Sequence, residues 1–497
     1  MNPKILIFFA LFVYALSAHP ILYEISTRPF LYELSQKYGK EIKKIRDIPY
    51  TEFDNLKNAG IEIVWFMGVW KLGTYGLEFD QKQDYSGVLP GWTKDDVIGS
   101  PYAIAEYVCN PEIGTNEDLT WLKKQLNDRG MKLMLDFVPN HSAVDAPTAT
   151  TNKKLYMQAP RGKTDPSRYT SEGLAYGKDP YFAPWMDVIQ WNYWESETIQ
   201  FMQQNLLTVL KYADGARCDM AHLILNDVFA KTWEEELKAW GYPRPPKEFW
   251  ETAIKAAKTK YPDAILLAEV YEDWAIEKLY QLGFTYCYDK ALLDKLEGSA
   301  FDVNDYIHYK GEYFFGHVAH FVENHDENRA VFNMQGNIEK AKAAGTIAAT
   351  LGGMIFFNHG QWNGLKNKLD VHLRRGAPES GDSTMPKYYQ KLLTIIADPA
   401  FKGPNYFFVW NMSGDKASDF IAYIREQDKS HYLVVVNYNQ NYGCAEVPIY
   451  NIEGSGMKKV KEMISGVEYN RNADTMRGVG LTVCLSAYQA QIFKYNY

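Results

Sequence analysis

The sequence predicts an α/β fold built as a (β/α)8 TIM barrel, with a small inserted domain after the third barrel strand and a C-terminal antiparallel β domain. Three observations carry that prediction. Eight short apolar runs alternate with helix-period stretches, at residues 21–26, 61–66, 132–138, 215–219, 264–269, 285–289, 318–323 and 353–358, the pattern of a parallel sheet wound with helices. Between the third run and the next helix lies a stretch rich in Pro, Gly, Lys and Tyr, about 50 residues where an ordinary βα loop takes about 2 to 6. From about Phe401 onward the helical spacing gives way to Val and Tyr alternation, as in HYLVVVNYN and LTVCLSAYQAQIFKY, which marks antiparallel strands.

The chain opens with Lys4 and an apolar run from Ile5 to Ala18 that ends in the small residues Ser17 and Ala18. It reads as a signal peptide over residues 1–18, because about 14 apolar residues fall short of the roughly 20 that cross a bilayer. Export is expected, to the extracellular space or the lumen of a digestive compartment, with no membrane association after cleavage. Residues 19–141 form the first part of the barrel. Its helix from Thr115 shows how one βα unit is written: the Thr115 hydroxyl can cap free amides, Asp118 supports the same turn, and Leu119, Leu122 and Leu126 repeat at helical spacing before Gly130 ends the helix in left-handed geometry. The KLMLDFV run that follows is apolar nearly throughout, as a strand covered on both faces requires. Residues 142–194 form the inserted domain or lid. Residues 195–400 complete the barrel, beginning with a helix over 195–213, and 401–497 form a β-sandwich.

Composition narrows the function classes. The 497 residues carry 53 basic and 61 acidic side chains, a net charge of −8, which excludes a strongly basic nucleic-acid binder. A hydrophobic share of 46% against 23% charged belongs to a folded chain that buries a large core. The 36 Tyr and 13 Trp suit sugar stacking and serve packing equally well. Five scattered cysteines without a CxxC pair disfavour zinc. Cys444 and Cys484 lie on strand-like segments and can pair in an oxidising compartment, while Cys109, Cys218 and Cys287 read as buried thiols. Of the two glycosylation sequons, at Asn140 and Asn411, the first falls among the residues of the candidate active centre.

Four motifs fall where predicted barrel strands end, the face on which such barrels place reactive groups. DFVPNH, Asp136 to His141, follows the third strand; DGARCDM sets Arg217 and Asp219 two apart on the fourth and therefore on one side; AILLAEVY delivers Glu269 at the tip of the fifth; FVENHD brings His325 and Asp326 after the seventh. An acid at one strand end is commonly a helix cap. All four in this order are the signal.

In that order the motifs resemble the four sequence regions of the α-amylase family of retaining glycoside hydrolases and transglycosidases. The likeness runs from YEISTRPF near Tyr23 to the HGQ of His359, Gly360 and Gln361, and it is similar to bacterial-type members in the segment GSPYAIAEY. The resemblance implies Asp219 as nucleophile, Glu269 as general acid and base, and Asp326 as transition-state stabiliser. It places Arg217, His141 and His325 around the reacting sugar and Tyr102 beneath its ring. It implies an α-glucan or oligosaccharide substrate, a monomer, and no cofactor for the chemistry. Many members bind a structural calcium ion between barrel and insert; Asn140 matches one ligand position, and Asp187 is a further candidate. The chemistry accounts for these residue types. Cleavage passes through an oxocarbenium-like state, so one carboxylate attacks the anomeric carbon while a second, protonated, serves the leaving oxygen. The apolar ILLA run is expected to keep Glu269 protonated, and Arg217 to hold Asp219 ionised.

The chain departs from the family in two places. After the nucleophile many members show Lys then His, where this sequence has His222 and Leu223, and His222 reads equally as a leaving-group contact or a structural histidine. Three residues before Tyr102, exo-acting members commonly carry an Asp that grips a terminal glucose; here Gly99 stands there. Internal cleavage is therefore expected, with Trp185, Trp191 and Tyr193 as aromatic walls of an open cleft. A transglycosidase uses the same residues, and a non-catalytic carbohydrate-binding protein on this fold would be expected to lose at least one of the three carboxylates.

Overall fold

The computed structural model describes residues 19–496; the run read as a signal peptide lies outside the described residues. All eight predicted strands are present, as β1 (Ile21–Ser26), β2 (Ile63–Met67), β3 (Lys132–Phe137), β4 (Gly215–Cys218), β5 (Ile265–Ala268), β6 (Tyr286–Tyr288), β7 (Val318–His320) and β8 (Met354–Asn358). They pair in parallel and in sequence, and β1 closes the ring on β8 with Ile21 opposite Ile355. Right-handed βα units make that closure possible because each strand is apolar on both faces. One face, with Ile21, Val64, Phe66, Leu133, Leu135, Ala216 and Cys218, packs against the surrounding helices. The other, with Leu22, Trp65, Met134, Leu267, Tyr286, Tyr288 and Phe356, fills the barrel interior.

The same two-residue period decides where polar groups go. Following Leu22 inward brings Glu24, following Met134 brings Asp136, and Gly215 is followed by Arg217 and Asp219. Polar side chains thus collect above an apolar plug at the C-terminal strand ends. The helix Asn116–Asn127 forms as expected, buries Leu119, Leu122 and Leu126, and is followed by Gly130 at φ 73°. The Asp118 carboxylate accepts from the Thr115 amide and hydroxyl at 2.9 and 3.2 Å, so the hydroxyl donates to the acid. Gly353, at φ 66°, starts β8 where any Cβ would meet the Phe315 and Val318 carbonyl oxygens at 2.2 and 2.4 Å.

The insert after β3 is a three-stranded antiparallel sheet, His141–Ala143 and Tyr176–Gly177 flanking Trp185–Gln190. Its Leu155, Tyr156, Leu174 and Ile189 belong to the same apolar cluster as the barrel's helical layer, so it is welded to the barrel. A hairpin of Trp70–Leu72 and Ile104–Cys109 rises beside it and was not evident as a strand pair in the sequence.

The C-terminal module is a sandwich. Strands β9 (Tyr406–Phe408), β10 (Phe420–Gln427), β11 (Ser430–Asn437), β12 (Gly443–Val447), β13 (Met457–Glu462), β14 (Glu468–Asn472), β15 (Leu481–Leu485) and β16 (Ala490–Tyr495) make a six-stranded sheet, β9-β10-β11-β16-β13-β14, and a β12-β15 pair. Side chains from both sheets fill one core. Cys444 and Cys484 face each other across β12 and β15 and form a disulfide; Cys109, Cys218 and Cys287 are free and buried. Among the described residues no helix is long and apolar enough to cross a membrane.

Candidate active site

Arg217 organises the strand ends. Its guanidinium donates to Asp219 Oδ1 at 2.8 Å, lies 2.7 Å from Glu269 Oε2, 3.5 Å from Asp136 and 4.0 Å from Asp326, and its Nε donates to the Tyr288 hydroxyl at 3.2 Å. Trp65 and Tyr102 rings each stand 5.1 Å from it. One permanent cation, with no exposed surface, thus gathers four carboxylates from four strand ends.

Glu269 is aimed by two donors, the Met220 amide at 2.7 Å on one oxygen and the Tyr271 hydroxyl at 2.9 Å on the other. Met220 reaches it from a left-handed backbone, φ 39° and ψ 47°, a strained conformation for a residue with a side chain. On the far side His325 binds Glu24 through Nδ1 at 2.5 Å, while its Nε2 serves Asp326 at 2.8 Å and the Tyr102 hydroxyl at 2.6 Å. Asp326 is the open member, with 39% of its side-chain surface exposed into the cleft. Lys368, from the loop after β8, donates to its backbone carbonyl.

Charge follows burial. Burial works against the His325 imidazolium, but Asp326 and Glu24 outweigh it and raise its pKa to about 10. In return, despite its own burial, Asp326 is drawn down to about 2 by His325 and Arg217. His141 is buried without a carboxylate, its pKa falls to about 4, and it stays neutral. Burial lifts Asp136 to about 6 in spite of Arg217. Asp219 corrects an expectation: burial and the Glu269 charge push its pKa well up, and Arg217 opposes them without prevailing. A site with more buried acids than cations disfavours full ionisation of Asp219.

The structure therefore brings together Asp219, Glu269, Asp326, Arg217, His325 and Tyr102. His141 stands one step out, accepting from Asn140 at 3.3 Å, donating to the Tyr102 carbonyl, and facing Trp185 at 5.5 Å. Glu24, Tyr271 and Tyr288 were missed. Glu24 had a signal, an acid in the middle of an apolar strand; the two tyrosines had none, since aromatics abound in this chain.

A family model for the α-amylase catalytic domain matches residues 52–391. The chain belongs to the α-amylase family. It is thus an α-glucan-acting glycoside hydrolase or transglycosidase. Alpha-amylase 2 of Dictyoglomus thermophilum is 22% identical over 466 residues, covering 88% of this chain and 69% of that one, and a cyclomaltodextrinase of a Bacillus species is 21% identical over 425 residues, covering 80% and 66%. A noncanonic maltogenic α-amylase from Thermotoga neapolitana superposes with a TM-score of 0.70 at 19% identity, covering 96% of this chain and 99% of that one.

Against the α-amylase-family expectations, two features differ. Calcium does not fit at Asn140. That side chain is buried, and its oxygen accepts from the Gln190 amide at 3.1 Å. Among the described residues no three acidic, imidazole or thiol side chains are grouped to hold a metal, whereas calcium takes about six to eight oxygens, carboxylates prominent among them. Asp187 instead packs beside Gly76, its carbon 3.4 Å from where a Cβ would stand. The expected aromatic walls are also corrected. Trp191 stacks on Tyr156 at 4.2 Å and Tyr193 donates to the Pro139 carbonyl at 2.7 Å, both inside the core, and only Trp185 is partly open. His222 is buried, 2.8 Å from Glu272.

Proposed function

We propose that this protein is a retaining hydrolase that cleaves α-glucosidic linkages of starch, glycogen or maltooligosaccharides at internal positions, working outside the cell or in a digestive lumen. One observation carries the reaction: Asp219 and Glu269, on adjacent strand ends, are held on the same guanidinium at 2.8 and 2.7 Å, so two carboxylates converge on one glycosidic bond. Asp219 attacks the anomeric carbon. Glu269, aimed by Tyr271 and Met220, gives its proton to the leaving oxygen, and in the second half takes one from water as the carbon–Asp219 bond breaks. The productive form of the pair carries its proton on Glu269. Asp326, held ionised by His325, offers negative charge to the oxocarbenium-like state, and the Tyr102 ring lies beneath it.

Gly99 supports internal cleavage. Its φ of 76° disfavours any side chain, so the acid that closes the pocket in exo-acting members has no relaxed place here. The Cys444–Cys484 bond supports an oxidising compartment. Proton NMR of the first product from an α-linked substrate tests the chemistry: the α-anomer is expected before mutarotation, and initial β-product overturns it. A maltoheptaoside blocked at its non-reducing end tests the cleft: cleavage comparable to the unblocked sugar is expected, and resistance with glucose as the only early product overturns internal action.

A further inference from the structure

The second glycosylation sequon, Asn411-Met412-Ser413, takes no part in the site described above, and the fold presents it to solvent. It lies where the chain leaves β9, the edge strand of the six-stranded sheet, and passes along β12 of the smaller pair. Two backbone anchors fix this passage. The Val409 amide donates to the Ala422 carbonyl of β10 at 3.1 Å, and Ser413 exchanges amide–carbonyl bonds with Glu446 of β12 at 3.1 and 2.8 Å. Between the anchors the side chains divide. Val409 and Met412 turn into the sandwich core, whereas Trp410 and Asn411 are exposed. Asn411 is therefore held outward, because reversing it means drawing its apolar neighbours out of the core.

The other sequon is the opposite case. Asn140, His141 and Ser142 are all buried, and the Asn140 side-chain oxygen accepts from the Gln190 amide at 3.1 Å. An N-linked oligosaccharide is bulky and hydrophilic, so the folded site has no room for one there. The surface beside Asn411 has room and lacks a cover. Trp410 is 57% exposed and Phe407 47%. The Trp410 ring is fixed edge-on, its centre 3.6 Å from that of His308 and 5.1 Å from that of Phe408. A rigid apolar strip thus borders the acceptor. The Cys444–Cys484 disulfide lies on the strand that anchors Ser413 and belongs to an oxidising, secretory setting.

We infer that Asn411 carries an N-linked oligosaccharide that covers the Trp410 and Phe407 strip. The inference rests on the export proposed above. In the transfer the Asn411 amide nitrogen bonds to the anomeric carbon of an oligosaccharide carried on a lipid pyrophosphate. The carbon–oxygen bond to that pyrophosphate breaks, the lipid pyrophosphate leaves, and the amide gives up one proton; nothing is oxidised or reduced.

The protein is recovered from its own cells and from a eukaryotic secretory host in which the host's leader replaces residues 1–18. Mass spectrometry of secreted and cell-retained chains is expected to find a glycopeptide spanning Asn411 in both preparations. Digestion with a peptide N-glycosidase is expected to increase gel mobility, and Asn411→Gln and Ser413→Ala are each expected to lose that shift. Bare Asn411 in the host preparation overturns the acceptor site, and so does bare Asn411 in exported protein from its own cells. Protein that keeps residues 1–18 and stays in the cytoplasm of its own cells overturns the export reading, and the glycan with it. Binding of an apolar dye is expected to rise when the glycan is removed and to stay constant when Asn411→Gln is treated alike. No rise overturns the cover.

Discussion

Arg217 shows at the scale of one residue why substitutions here are not equivalent. It holds Asp219 and Glu269 together at 2.8 and 2.7 Å, yet burial and the neighbouring acids keep Asp219 titrating well above a free aspartate. Asp219→Asn removes the attacking oxygen and is expected to lower kcat by more than about a thousandfold with the fold intact by circular dichroism. Glu269→Gln is expected to cost about a hundredfold to ten-thousandfold, with part of the glycosylation rate recovered on a substrate with a good leaving group, which needs less proton donation. Activity within about tenfold of wild type in either variant contradicts its assignment. As the proposed nucleophile Asp219 must be ionised, and its folded pKa is raised, so activity is expected to be lost as pH falls through that raised value. The acid limb of the kcat/KM profile should therefore sit clearly above about pH 4, the ordinary carboxylate range. A limb at or below it would contradict the direction.

Among the elements, the joint between barrel and sandwich depends on β10. Its Arg425 is buried and reaches out of the sheet to three carbonyls. It donates to Leu351 at the end of the helix Ile338–Thr350, to Ala400 at 3.3 Å and to Gly403 at 2.5 Å. Burial lowers its pKa to about 10, which leaves it charged at neutral pH. Arg425→Met keeps the aliphatic stem but abandons those carbonyls, so a loss of about 2 to 4 kcal/mol is expected from urea unfolding, after relief of the buried charge is set against it. A change below about 0.5 kcal/mol would show that the joint does not depend on this contact. The insert is attached differently, through shared apolar core and the Asn140–Gln190 amide pair at 3.1 Å.

For the molecule as a whole, stability and catalysis favour different pH. His325 is raised to about 10, so its contribution to stability is full below its unfolded value of 6.5 and fades as pH rises toward 10. Asp326 is depressed to about 2, so its contribution is full above 3.8 and fades as pH falls toward 2. Asp136 is raised from 3.8 to about 6, and its contribution is full below 3.8 and fades as pH rises through 6. Together they place greatest stability on the mildly acidic side, the direction in which Asp219, with its raised pKa, loses its charge. Urea-unfolding free energies of wild type and His325→Gln across pH 4 to 10 test this. The gap between the two proteins is expected to be a few kcal/mol at mildly acidic pH and to shrink toward pH 10. A gap that does not change with pH would contradict the imidazolium.

What the sequence determined alone is what local periodicity encodes. Eight strands of period two, covered on both faces, have one economical closure, and each strand's own alternation sends Arg217 and Asp219 to one side and Glu269 to the tip. The barrel and the acids at its strand ends were legible for that reason, and Cys444 opposite Cys484 followed from two strands in one module. Glu24 left a trace, an acid among apolar neighbours, but its partner His325 lies 301 residues away. Only tertiary structure could decide matters of that kind. Asp219 and Glu269 share a cation whose field is set by Asp136 and Asp326 from other strands, so neither local run revealed which way Asp219 would titrate. Trp191 and Tyr193 look in sequence like Tyr181 and Phe182, aromatic residues of one loop-rich stretch. Packing against Tyr156 and Phe249 buries the first pair, while a turn pinned by Asp179 leaves the second exposed, because burial depends on which distant surface a side chain meets.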